Sequence, residues 1–135
     1  MTRSSRSLLS LAALLLAAAP LASCKNSNEP VATQVTINGG AGQTAAAGST
    51  LPVDPSVIVQ DQAFNPVSGY TVTFSVTQGG GTITSSHVSS ANAVTDASGV
   101  ASVSWTLGGS PGPNQLTVTA VGLAGSGLTI GATGN

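Results

Sequence analysis

The sequence predicts an all-β domain: a two-sheet antiparallel β-sandwich of about seven to nine short strands, standing behind an export signal. Three observations predict it. Apolar residues alternate with Thr, Ser and Gly over short runs, so each run has one face to bury and one to leave wet. Gly, Ser, Asn and Pro punctuate these runs, as turns between short strands require. No stretch after Cys24 carries a helical period.

The chain opens on the three parts of a signal peptide. Arg3 and Arg6 form a basic start, Leu8 to Ala19 is an apolar run of twelve residues with Ser10 its one polar member, and small residues follow. As a helix this run spans about 18 Å, short of the roughly 30 Å hydrocarbon core, so a permanent transmembrane anchor is not expected. Two serines separate the arginines, which points to general secretion rather than a twin-arginine route.

Leu21-Ala22-Ser23-Cys24 comes next and holds the only cysteine. The tetrad resembles the lipobox of bacterial lipoproteins. That resemblance implies cleavage between Ser23 and Cys24, diacylglycerol on the Cys24 sulfur, and acylation of the new amino group by a fatty acid such as palmitate. It also implies, from Lys25 where an Asp would retain the protein at the inner membrane, that a two-membrane host sends it to the outer membrane. Several acyl chains hold firmly where one binds only reversibly. With Cys24 outside the folded part, no disulfide is possible within it.

The expected organisation is therefore a cleaved signal at 1–23, a lipidated cysteine and polar tether at 24–30, and one sandwich at 31–135. Removing residues 1 to 23 of 135 leaves 112, enough for one core and not two. Fully extended, the six residues Lys25 to Pro30 reach about 20 Å, which keeps the domain close to its membrane.

Strand by strand, Thr33, Val35 and Ile37 share one face of a first run. Val53 to Gln60 supplies a second, interrupted near Pro55. Tyr70, Val72, Phe74 and Val76 then face in while Thr71, Thr73, Ser75 and Thr77 face out. Val94 to Val100 reads as a hairpin, with Asp96 and Gly99 set for a tight turn. Ala101, Val103, Trp105 and Leu107 form another inward row, followed by Leu116, Val118 and Ala120, and by Leu128, Ile130 and Ala132. Phe74 and Trp105 are expected to carry the core by packing.

Charge nearly vanishes behind the signal: Lys25 is the one cation, against Glu29, Asp54, Asp61 and Asp96. A basic footprint is missing, which excludes nucleic acid as a partner. The wealth of Val, Thr and Ile argues against disorder.

At this point the residues carry a resemblance. Val57-Ile58-Val59-Gln60-Asp61, Asn65-Pro66-Val67, Val72-Thr73-Phe74, Gly79-Gly80-Gly81, Thr95 to Ala101 and Trp105-Thr106-Leu107-Gly108 look, in order and spacing, like bacterial Ig-like domains of the invasin and intimin type. The likeness runs from Val31 to Asn135. It implies an Ig-like sandwich, here with no disulfide. Phe64 stands where that family usually has a small turn residue, and Ser85 to Asn92 is a longer Ser-rich loop than is common. Family members often occur in tandem arrays, whereas this sequence holds one copy. If the Ig strand order holds, the loop at 62–69, the Asp96 turn and the loop at 122–126 share one end with the start of the first strand. Residues 38–50, 78–92 and 108–114 then gather at the far end.

Few residues suggest chemistry. Gly108-Gly109-Ser110-Pro111-Gly112 matches the Gly-x-Ser-x-Gly pattern, but prolines and a strand follow it and no Asp, Glu or His comes after Ser110, so it is a loop and not a nucleophile elbow. His87, the only histidine, is expected in an exposed loop rather than paired with Asp54, Asp61 or Asp96. Asp61 and Asp96 are expected to build turns rather than hold calcium. Gly79-Gly80-Gly81 lacks the Lys-Ser or Lys-Thr of a phosphate cradle and reads as a flexible strand end. Phe64 is expected to plug the end of the sandwich, the other reading being a binding anchor.

No catalytic residue, metal ligand or cofactor is expected, and the chain is not read as an enzyme. The expected function is a membrane-anchored lipoprotein of the cell envelope. Its Ig-like domain would be a non-catalytic binding or adhesion module for a protein or glycan. Ser85, Ser86, His87, Ser110 and Asn114 are the candidate contact residues in the far loops. The alternative is a structural lipoprotein packed within a larger envelope assembly.

Overall fold

A computed structural model describes residues 30–135; the signal, the Ser23–Cys24 cleavage and lipidation site and residues 25–29 of the tether lie outside it. Among the described residues there are ten strands and no helix: β1 (Gln34–Gly39), β2 (Gln43–Ala45), β3 (Ser56–Gln60), β4 (Thr71–Gln78), β5 (Thr82–Ile83), β6 (Ser90–Val94), β7 (Val100–Ser102), β8 (Trp105–Thr106), β9 (Gly112–Thr119) and β10 (Leu128–Gly134). One sheet has the order β2-β10-β9-β4-β6, the other β1-β3-β7, and β5 and β8 form a short ladder of their own.

The strand count exceeds the sequence reading because apolar rows change ladder partner partway along. The row Ala101-Val103-Trp105-Leu107 shows this best. Its first part pairs with β3 as β7, and its last part pairs with β5 as β8. Leu51 N–H donates to Trp105 O at 2.9 Å and Leu107 N–H to Ser49 O at 3.0 Å, so residues 49–51 flank β8 on its other side. The alternation survives the change of partner, and all four side chains of the row are buried.

Two expectations are corrected. Not every pairing is antiparallel: β2 lies parallel to β10. After β1 the chain turns away from its own sheet, and Gly42 N–H donates to Gly131 O at 2.8 Å, so β2 lines the outer edge of β10. Nor is 94–100 a hairpin of paired strands. β6 pairs with β4 and β7 with β3, so the Asp96 turn carries the chain from one sheet to the other.

The core fills the space between the sheets. Phe74 comes from the five-stranded sheet and Trp105 from β8, and neither has any exposed surface. Val35, Val57 and Val59 meet them from one side, and Val72, Leu116, Val118 and Ile130 from the other. Ile37 is not buried as its spacing predicts. The β1–β3 register slips between Ile37 and Gly39, which turns the end of β1 outward. Tyr70 is only half-buried, because its hydroxyl reaches out to donate to Val121 O.

Among the described residues the buried Trp105 Nε1–H has no hydrogen-bond partner. A buried orphan donor costs about 1–3 kcal/mol, and the burial of the large indole outweighs it. Trp105→Ala and Phe74→Ala should each cost about 3–5 kcal/mol, read as a fall in urea midpoint without a change in slope. Trp105→Phe should cost clearly less than Trp105→Ala, since it keeps most of the ring and removes the orphan donor.

Candidate functional site

The far end is built on backbone contacts between glycine-rich segments. Gly48 N–H donates to Gly108 O at 2.8 Å and Ala47 N–H to Asn135 O at 3.1 Å. Gly108 N–H donates in turn to Asn114 Oδ1 at 3.0 Å, and Asn114 Nδ2 donates to Gly112 O at 3.2 Å. Asn114 is thus corrected as a contact residue: it is 1% exposed, because its amide fastens the loop from inside. The glycines around it are not a loose strand end either. A Cβ on Gly79 would run into Asn114 Oδ1, and one on Gly108 into Gly79 O. Only residues without side chains let the two backbones and the amide approach this closely.

The other far-loop candidates are exposed. Ser85, Ser86 and His87 form the tip between β5 and β6. Ser86 N–H donates to Thr84 Oγ1 at 3.2 Å, and His87 Nδ1 lies 3.0 Å from Ser85 O. Ser110 is exposed on the neighbouring loop. The structure thus brings four of the five candidates to solvent and withdraws the fifth. Among the described residues no group of three or more His, Cys, Asp or Glu stands together. A shallow depression of about 320 Å³ lies over β9 and β10, lined by Gly42, Pro113 to Gln115 and Gly131 to Thr133, none of them ionisable.

The near end gathers the loop after β3, the Asp96 turn and the loop between β9 and β10. Thr33 N–H donates to Gln60 O at 2.9 Å, Val35 N–H to Ala124 O at 3.0 Å, and Val59 N–H to Gly99 O at 2.8 Å. The chain therefore enters β1 in the midst of these loops. Both acids here build turns. Asp96 Oδ1 accepts from Ser98 N–H at 2.9 Å and Val100 N–H at 3.0 Å. Asp61 Oδ1 accepts from Ala63 N–H at 2.8 Å and Asn65 N–H at 2.9 Å, and its Oδ2 from Asn65 Nδ2 at 3.2 Å. The Asn65 N–H foremost, then the Asn65 amide and the Ala63 N–H, hold the Asp61 carboxyl below the usual carboxylate range.

Phe64 rides on this locked turn. Its N–H donates to Asp61 O at 3.0 Å and its carbonyl accepts from Gln60 Nε2 at 3.0 Å. The expected plug is corrected: Phe64 is 67% exposed, and Val67 and Leu123 close this end instead. Its φ is +67°, a left-handed conformation that disfavours bulky side chains. Val121, 79% exposed, and Val31, 70% exposed, stand at the same end. Sequence reasoning missed Val121, although alternation through Thr119 and buried Ala120 already points it outward.

No protein-family model matches the chain, and none of the curated proteins matches it. Solved structures do. The chain is similar to the D00-D0 domain of intimin, at 19% identity and a TM-score of 0.56 over 77% of this chain and 46% of that one. It is similar to the Yersinia pseudotuberculosis adhesin InvE, at 20% and 0.57 over 79% and 32%. Domains 4 and 5 of the S-layer protein SbsC match at 15% and 0.53 over 78% and 53%. The chain thus spans about half or less of each solved chain. At these identities the likeness establishes the fold, an Ig-like sandwich.

Two tests follow from the near-end turn. Phe64→Asn should stabilise the domain by up to about 1 kcal/mol, because Asn tolerates the left-handed backbone that an aromatic resists; thermal or urea unfolding measures it. The Asp61 carboxyl is depressed in the folded state, so its contribution is complete above the usual carboxylate range and is lost as pH falls through the lower folded value. The stability gap between the natural chain and Asp61→Asn should therefore be widest at neutral pH and close on acidification, seen in urea midpoints across that range.

Proposed function

We propose that this chain is an exported lipoprotein of the cell envelope, cleaved between Ser23 and Cys24 and held by lipid on Cys24, whose Ig-like domain is a non-catalytic binding or adhesion module. The observation that carries the anchor is the tetrad Leu21-Ala22-Ser23-Cys24, set one proline behind an apolar run of twelve residues. In a two-membrane host, Lys25 after the cysteine favours the outer membrane.

The module reading draws support from the fold, which adhesin domains of intimin and InvE share. It also draws on how the ionisable side chains are used. The carboxylates of Asp61 and Asp96 are spent on turn N–H groups, and the His87 ring lies against a backbone carbonyl. The surface for a protein or glycan partner is the far end, where Ser85, Ser86, His87 and Ser110 are exposed. A tether at the other end turns these loops away from the membrane.

Mass spectrometry of the processed chain should find an N-terminus at Cys24 bearing diacylglycerol and one further acyl chain. Cys24→Ala should lose that mass and leave the membrane fraction. Cleavage elsewhere, or a natural chain without lipid, removes the anchor. Proximity labelling from the lipidated chain should mark a partner, and replacing Ser86 and Ser110 by Asp should abolish that mark without lowering stability. Recovery in a fixed-stoichiometry envelope complex that survives those replacements would make the role structural instead.

A further inference from the structure

We infer that the near end of the sandwich docks on the lipid surface of the membrane that anchors the chain, with Phe64, Val121 and Val31 entering the headgroup region. The inference rests on the lipid-anchor reading of Cys24 and adds a second contact to it.

Four observations converge. First, the large apolar residues most exposed among the described residues are Val121 at 79%, Val31 at 70% and Phe64 at 67%. All three stand at one end, where Thr33 N–H meets Gln60 O and Tyr70 Oη meets Val121 O. Scattered apolar residues need no explanation, but a group at one end of a small domain marks a contact. Second, Phe64 is presented and not merely left over. Its turn is locked by the Asp61 carboxylate and by Gln60, while its backbone adopts a conformation that a smaller residue would occupy more easily. A rigid turn holding an aromatic in water has already met the ordering cost of a contact.

Third, the length of the tether fixes the occupant. Only the six residues Lys25 to Pro30 separate Cys24 from Val31, and they span at most about 20 Å. The first thing this end meets is the bilayer itself. Three apolar side chains would not hold a free protein on a membrane. A tether makes the encounter intramolecular, at an effective concentration in the millimolar range, so weak contacts suffice to orient the domain. Fourth, charge at this end neither forbids insertion nor selects for anionic lipid. No Lys or Arg lies among the described residues, and the carboxylates of Asp61 and Asp96 are turned onto backbone N–H groups. The contact should therefore form on a zwitterionic surface and resist salt.

The test uses the full chain, processed in a lipoprotein-competent bacterial host, carrying Phe64→Trp and reconstituted in phosphatidylcholine vesicles. Trp105 is fully buried and supplies a constant background, measured on the natural chain. The new indole should emit at shorter wavelength on vesicles than in detergent. It should also be quenched by lipids brominated near the headgroup, and both effects should persist in high salt. Val121→Ser with Phe64→Trp should weaken the quenching. An indole that stays water-exposed and unquenched on a chain shown by mass to be lipidated overturns the docking and leaves the anchor standing. A wavelength shift that grows with protein density and shows no quenching assigns Phe64 to a second copy or another protein, and overturns it too. A chain without lipid overturns anchor and docking together.

Discussion

Packing between two sheets around Trp105 and Phe74 is what the rest of this molecule depends on. A covalent brace is ruled out, since the sole cysteine lies at position 24, ahead of the domain. No Lys or Arg lies among the described residues, so surface ion pairs contribute nothing there. The hydrophobic layer must meet the entropy of ordering the chain almost alone. This explains why the inward rows of β4, β7, β8, β9 and β10 contain so few polar interruptions, and why Asn114, the one buried side-chain amide among the described residues, spends its donor and acceptor on neighbouring backbone.

Where packing cannot reach, short polar side chains take over. At the near end Asp61 and Asp96 each gather two backbone N–H groups, two and four residues on, and at the far end Asn114 does related work for a glycine-lined crossing. These side chains act locally, within a few residues of their own position, so they set loop shape without calling on distant partners. The two ends differ in what they expose. The far end shows hydroxyls, an imidazole and the exposed Val53, whereas the near end shows an aromatic ring and the two most exposed valines.

Much of this was legible in the sequence. Period-two alternation placed Val72, Phe74, Trp105, Leu116, Val118 and Ile130 in the core, because a pleated strand leaves each side chain one of two directions. The grouping of loops at two ends followed only once the resemblance supplied the Ig strand order. What alternation does not carry is the choice of partner. The same row of residues 100–107 serves two ladders, and nothing in its spacing shows where the switch falls. The parallel seating of β2 was hidden for the same reason, since three residues with no strong pattern say nothing of direction. Asn114 and Phe64 misled in opposite ways. An asparagine beside glycine and proline suggests a wet loop, and an aromatic beside a turn suggests a plug, but burial depends on what the fold brings opposite. For Asn114 that is the backbone of Gly108, and for Phe64 it is solvent.

The parallel pairing of β2 with β10 bears on how the domain would carry a load. β10 is held between β2 and β9, and Asn135, just past it, is tied back to Ala45 and Ala47. Tension between the far loops and the entry to β1 runs along the strands. Ladder hydrogen bonds lie across that direction, so they are strained together rather than peeled one after another. A sandwich without a disulfide, and with no Lys or Arg among its described residues, thus gains mechanical resistance from the geometry of its edge.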